Sequence, residues 1–379
     1  MNLQSLVVAD DEKTVRVLRR VLSDLEIDME HCSNPDTAVQ QLTRNRFEAV
    51  IVDCADTESA GRVLKSARLA PCNRRAVALA IVDANMPLRS AFEMGAHFVL
   101  YKPVSAERAK ASFRAARALM KRERRRNTRI PVEMPVTVRV NDGQSHAVSL
   151  DLGEGGLAVK FAHRPQNLNS ISVHFSLPGT THTIECIGEV AWENSSRQVG
   201  IRFVDLLPDS RDQLKAWLES HSPDFEKDDP PAPCRLAQFS PAGCYLESAS
   251  PFPVRSKLIL SHQMGGLRLQ VEGVVRLMHP DFGMGVEFMT QTAQQKEHVK
   301  KFLRAFSGMD LESKKLELLV EPEGLEADDL SSAPPGRVAD ASDYLLQLFA
   351  TKSELSPKAF IAELRRQRQV KEPTALAQP

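Results

Sequence analysis

The chain has 379 residues, 42% hydrophobic and 26% charged, with 49 basic and 49 acidic side chains. That length suits two to four domains with real cores. A net charge of zero excludes a global field that would gather nucleic acid, so any such attraction must be local.

The opening MNLQSLVVADD meets a carboxylate pair too early for a secretory signal, and no apolar run approaches membrane-spanning length. Six cysteines (Cys32, Cys54, Cys72, Cys186, Cys234, Cys244) form no CxxC pair and no cluster with histidine. This argues against zinc and for reduced thiols, and a soluble cytoplasmic protein is expected.

Over residues 1–120, apolar strand-like runs at 6–9, 47–53, 76–82 and 98–101, with a weaker one at 27–32, alternate with segments of helical period such as 13–25 and 36–45. Alternation of this kind, with near-continuous apolar strands, predicts a doubly wound parallel α/β sheet covered on both faces. A last helix is expected after Pro103, capped by Ser105 and running without a breaker into KRERRRNTR (121–129). That stretch places six basic side chains in nine positions. They suit a solvated helix end, a nucleic-acid patch or a clamp for a smaller phosphate ligand.

After Arg129 the rhythm becomes short β runs (136–141, 170–177, 182–193, 199–204) separated by Gly, Pro and Asn turns, the pattern of a small antiparallel barrel. An amphipathic helix at 207–220 and a linker at 223–233 follow. Then the pattern repeats. Gly188 and Gly200 correspond to Gly273 and Gly285, and Trp217 to Phe302, at an offset of 85 residues; DLGEGGLAV (151–159) corresponds to QFSPAGCYL (238–246) at 87. Two copies of one barrel-plus-helix module are expected. The domain plan is therefore 1–120, 121–222, a linker at 223–233, 234–307, and an acidic, mostly disordered tail at 308–379. Short helices at 344–350 and 357–368, docking on a partner, are the one structured expectation in that tail.

Asp10 and Asp11 end the first strand, Asp53 the third, and Lys102 the fifth. Strand C-termini of an open parallel sheet gather along one rim, where such folds bind ligands. Three carboxylates there suit Mg²⁺, with Asp53 as nucleophile and Lys102 as cationic partner. These positions resemble the receiver domain of two-component response regulators, a flavodoxin-like fold. The resemblance implies phosphorylation of Asp53, metal binding by Asp10, Asp11 and Asp53, phosphoryl sensing by Lys102, and a sensor kinase as partner. The sequence departs from the family at the end of the fourth strand, where Ala80 and Ile81 stand in place of a hydroxyl.

Arg125 and Arg129, four apart with Arg124 and Arg126 beside them, supply guanidinium forks for phosphate or guanine. Asp151 offers a carboxylate for the opposite guanine edge, and Gly153, Gly155 and Gly156 give clearance and access to positive φ. R-x-x-x-R before a barrel, then D-x-x-x-x-G, GEVAW and VGIRFVDL, is similar to the PilZ domain. That resemblance implies cyclic di-GMP binding by Arg124, Arg125, Arg129, Asp151, Gly153 and Gly156. Gly153 stands where the family has serine. The second copy looks like a degenerate PilZ module, with Gln238 in place of the acid and no R-x-x-x-R. It is expected to be structural or an interaction surface, stacking on the first copy or dimerising.

The expected function is a non-enzymatic cyclic di-GMP effector with a receiver-like input, acting through an unidentified protein target. A nucleic-acid-binding regulator using 121–129 is the alternative. It is disfavoured because the patch is short and aromatic residues are only 6%.

Overall fold

The computed structural model describes residues 2–126, 128–140, 143–163, 171–222, 227–264, 267–306, 316–326, 343–351 and 357–370. They divide into two compact units, one formed by 121–228 and the other by 2–120 together with 229–379.

Strands β1 (Leu3–Val8), β2 (Ile27–Cys32), β3 (Ala49–Asp53), β4 (Val77–Val82) and β5 (Phe98–Tyr101) form one parallel sheet in the order β2-β1-β3-β4-β5. This is the doubly wound order whose ligand crevice lies between the first and third strands. The apolar runs are continuous because both faces are covered: every residue of β4 is buried. Helices α1 (Glu12–Asp24), α2 (Pro35–Arg44) and α3 (Thr57–Leu69) are capped by the side chains of Asp11, Asn34 and Asp56. Helix α4 is short (Leu88–Glu93), and α5 runs from Ala106 to Arg126 without a break.

In the 121–228 unit, β6 (Ile130–Pro131), β7 (Pro135–Val140), β8 (Gly143–Gly153), β9 (Gly156–Phe161), β10 (Ile171–Ser176), β11 (Thr183–Glu193) and β12 (Gln198–Leu206) form one sheet. Pairing of β9 with β8 closes it into a ring to which β6 is added at β8. Helix α6 (Pro208–His221) buries Leu214, Trp217 and Leu218 in the barrel core. The indole N–H of Trp217 donates to the Pro178 carbonyl at 2.9 Å, which satisfies its buried polar end.

The second barrel consists of β13 (Ala232–Phe239), β14 (Gly243–Glu247), β15 (Ser256–Met264), β16 (Leu267–His279), β17 (Gly283–Phe288) and β18 (Glu317–Leu325), with helix α7 (Ala293–Phe306). Its core joins that of the parallel sheet in one buried cluster containing, for example, Phe113, Leu119, Leu236, Val286 and Phe302.

The repeat is visible in the hydrogen-bond register. A bulge between Ser149 and Asp151 on β8 recurs between Leu236 and Gln238 on β13. A second, between Val190 and Trp192 on β11, recurs between Val275 and Leu277 on β16. Bulges are local irregularities, so two at the same offsets mark one template used twice.

Three expectations are corrected. The acidic tail is not mostly disordered over its described part: β18 bonds to β13 on one side and β15 on the other, turning Leu318 and Val320 into the core. The stretch E-L-L-V-E is a half-buried strand, in which the acids and Leu319 face outward while Leu318 and Val320 complete the barrel. Helices α8 (Tyr344–Thr351) and α9 (Pro357–Val370) form, but they dock on this chain's own second barrel. The remainder of the tail, and residues 223–226 of the linker, lie outside the described residues. The last two linker residues already belong to β13. No helix among the described residues is long and apolar enough to cross a membrane.

Candidate functional site

Two candidate sites follow from the sequence. The first is the arginine arm and glycine turn of the 121–228 barrel. DLGEGG is a tight hairpin in which Gly153 pairs with Gly156 to join β8 to β9. Any side chain at Gly156 would strike the Ile201 carbonyl oxygen, 2.2 Å from where its Cβ would lie, so glycine is required for backbone approach. Of the three glycines expected to reach positive φ, only Gly156 has it, at 159°, close to extended backbone.

Arg129 lies just before β6, which brings it over this turn. Its Nη1 donates to Asp151 Oδ1 at 3.2 Å and to the Gly156 carbonyl at 2.9 Å. The pair is open to solvent, with 41% of the Arg129 side chain and 32% of that of Asp151 exposed. A Cβ on Gly153 would lie 2.9 Å from the Thr128 carbonyl and 3.0 Å from Arg129 Cδ. The arm therefore occupies the space a serine would need, which accounts for glycine at that position. Arg129, Asp151, Gly153 and Gly156 are thus brought together as the sequence implied.

Arg125 is placed differently. It is on the last turn of α5, not in a loop, and only 1% exposed. Its guanidinium is ion-paired with Asp228, whose other oxygen takes Lys215. Burial pushes the Asp228 carboxyl up, but Arg125 and Lys215 outweigh it and hold it below the ordinary value of 3.8. Arg124, half-buried on the same turn, accepts the Thr128 hydroxyl at its carbonyl.

Lys121 and Arg122, which read as a solvated helix end, are 7% and 8% exposed. Arg122 pairs with buried Glu154 of the glycine turn, and Lys121 donates to the Lys227 carbonyl at 3.3 Å. The sequence missed Asp228, Lys215 and Glu154 because their arginine partners lie 32 to 103 residues away, or, for Lys215, pair through Asp228.

The second site is the rim of the parallel sheet. Asp53 is largely buried, with Oδ1 accepting from Lys102 Nζ at 2.7 Å and from the Ala55 N–H at 3.1 Å. The neighbouring Ile81 of β4 is in register with Asp53 and fully buried, so no hydroxyl faces the carboxylate from that strand end. Asp11 caps α1: Oδ1 accepts from the Lys13 N–H, and Oδ2 from the Thr14 N–H and hydroxyl, the last at 2.6 Å. The Thr14 hydroxyl bond holds the Asp11 carboxyl below its ordinary value.

Asp10, Asp11 and Asp53 stand at the ends of β1 and β3, where the sequence expects a magnesium ion. Among the described residues no three His, Cys, Asp or Glu side chains gather to hold a metal. Asp11 spends both oxygens on its helix and Asp53 is held by an ammonium, so the donor set as arranged does not fit a divalent cation.

The PilZ domain model matches residues 123–220, and this segment is a PilZ domain. No curated protein matches the chain. Among solved structures, the chain is similar to the chemotaxis response regulator of Vibrio cholerae, at 18% identity over 31% of this chain and 99% of that one, with a TM-score of 0.29. It is also similar to the receiver domain of a sensor histidine kinase from Pseudomonas aeruginosa, solved with magnesium coordinated in its active-site cleft, at 18% identity over 32% and 98% with a TM-score of 0.28. A response regulator from Hahella chejuensis matches at 23% identity over 27% and 80%, with a TM-score of 0.25. The receiver-like fold of residues 2–120 rests on its strand order and rim residues.

Proposed function

We propose that the chain is a cyclic di-GMP-responsive signalling effector whose 121–228 unit holds the nucleotide and whose output is a changed protein–protein interaction. The observation that carries this is the open Arg129–Asp151 pair over the glycine turn. A guanidinium and a carboxylate held half-exposed above a hairpin without side chains present donor, acceptor and clearance to a flat guanine bearing phosphate. The PilZ match covers these residues.

In this reading Arg124, Arg125, Arg129, Asp151, Gly153 and Gly156 contact the ligand. Arg129 engages first, and Arg125 reaches it by exchanging Asp228 for a phosphate. At the sheet rim Asp53 is the phosphoacceptor position and Lys102 the cation that would follow a phosphoryl group. No step is assigned there to a metal, given the donor arrangement.

The nucleic-acid alternative loses ground on burial. Lys121 and Arg122 are each under 9% exposed and not available to a duplex, leaving too few cations for a long phosphate track. Fluorescence anisotropy separates the two readings. Labelled cyclic di-GMP should bind the full chain and be displaced by unlabelled cyclic di-GMP but not by duplex DNA. Displacement by duplex that weakens steeply with salt would overturn the assignment.

A further inference from the structure

The shared register lets each position of one barrel be matched to the other. Gly153 pairs with Gly156 and Asp151 with Ala158 in the first; Gln238 pairs with Tyr245 in the second, and the Ser240 N–H donates to the Gly243 carbonyl at 2.7 Å. Asp151, Gly153 and Gly156 thus correspond to Gln238, Ser240 and Gly243. Gly200, paired with Ala158, corresponds to Gly285, paired with Tyr245.

In the second barrel these four positions are covered by α8 and the residue before it. Ser240 Oγ donates to Asp343 Oδ1 at 2.9 Å, and Gln238 Nε2 donates to the Tyr344 hydroxyl at 2.7 Å. Leu346 Cδ2 lies 3.2 Å from the place of a Cβ on Gly243. The Phe349 ring lies 2.7–2.8 Å from that of Gly285. Leu345, Leu346, Leu348 and Phe349 are at most 2% exposed. Asp343 also accepts the Leu345 N–H at 2.9 Å, so one carboxylate caps the helix and ties it to the barrel. In the first barrel Gly200 is covered by Trp192 of the same barrel, itself 44% exposed.

We propose that the second barrel is a helix-recognition module. Its groove is the face that in the first barrel carries Asp151, Gly153 and Gly156, and its occupant is this chain's own segment 343–351, DYLLQLFAT. The groove selects an acid-capped apolar helix: Ser240 and Gln238 read the cap and its tyrosine, while Gly243 and Gly285 leave room for Leu346 and Phe349. This is helix-in-groove recognition at a glycine-lined site. Glutamine in place of the carboxylate, serine in place of Gly153, and the lack of an R-x-x-x-R arm fit a peptide end better than a nucleotide. The docking does not depend on whether the first barrel binds cyclic di-GMP.

The test uses the full chain carrying Leu346→Asp and Phe349→Asp, changes on the helix that leave every barrel residue intact. A fluorescent peptide of residues 343–370 should bind this variant on the order of 30-fold more tightly than wild type, whose groove is already filled. Adding Gly285→Leu should abolish that gain by filling the Phe349 place. A milder variant, Asp343→Ala, should show an intermediate gain and guards against misfolding of the first. Equal binding to wild type and variants, or no binding to any, would overturn the proposal. Cyclic di-GMP titrated into the same proteins reports the first barrel separately.

Discussion

If Arg125 takes the ligand as proposed, ligand binding and fold stability compete at Asp228, and Asp228→Asn makes that competition measurable. Arg125 is 1% exposed and Asp228 about one-third exposed, with Lys215 on the same carboxylate. Breaking a fully buried pair by removing one partner costs about 3–5 kcal/mol; scaled for the exposure of Asp228, the loss here is about 2 kcal/mol. In a unit of this size that lowers its melting temperature by roughly 10 °C. If a ligand phosphate takes the place of Asp228, wild type spends the same energy when Arg125 turns outward, and the variant does not. Cyclic di-GMP should therefore bind Asp228→Asn roughly 30-fold more tightly while the ligand-free protein melts lower. Paired calorimetric titrations and melting curves decide it. A lowered melting temperature with unchanged affinity would show that Arg125 is purely structural and refute the exchange.

Other consequences follow from single contacts. Gly153→Ser would force the Thr128–Arg129 arm away, since its Cβ would lie 2.9 Å from a backbone oxygen; a loss of about 1–2 kcal/mol is expected by thermal melting. Asp11→Ala removes the α1 cap and should cost about 1 kcal/mol in denaturant unfolding, with no dependence on added magnesium. His279 is 3% exposed, accepts or donates at Nδ1 to the Tyr245 hydroxyl at 2.9 Å, and packs 4.7 Å from the Phe360 ring. Burial pushes its imidazole down to about 4 from the ordinary 6.5. The unfolded chain then takes up a proton that the folded state refuses, so stability is flat above pH 6.5 and falls towards pH 4. The fall is at most about 3 kcal/mol. His279→Gln should flatten that slope, and an unchanged slope would assign it to other groups.

Much of the fold was legible in the sequence. Continuous runs such as VALAIV, alternating with segments of helical period, read as doubly covered strands, and the repeated glycine spacing marks the second barrel. The gathering of Arg129, Asp151 and the glycines at one site was implied by the motifs, and the structure explains it, because Arg129 immediately precedes β6 beside β8. The DLGEGG hairpin itself was not read from the sequence. What was hidden was long-range. Arg122 reads as solvated and Arg125 as a ligand fork, since nothing local shows that Glu154 and Asp228 neutralise them. β18 was concealed by acids that face outward, although its inward residues complete the barrel. Asp11 illustrates the limit of motif reading at the sheet rim: the residue type suits a metal, but the helix it begins claims the carboxylate first.

The central claim is that Arg129 and Asp151 over the glycine turn form the nucleotide site. Isothermal titration of cyclic di-GMP into wild type and Arg129→Ala tests it most directly. Wild type should bind saturably, and the variant should lose at least about 2 kcal/mol of affinity, roughly 30-fold, because a charged hydrogen-bonding fork is removed from the ligand. Wild type that does not bind, or a variant that binds equally well, would contradict the account.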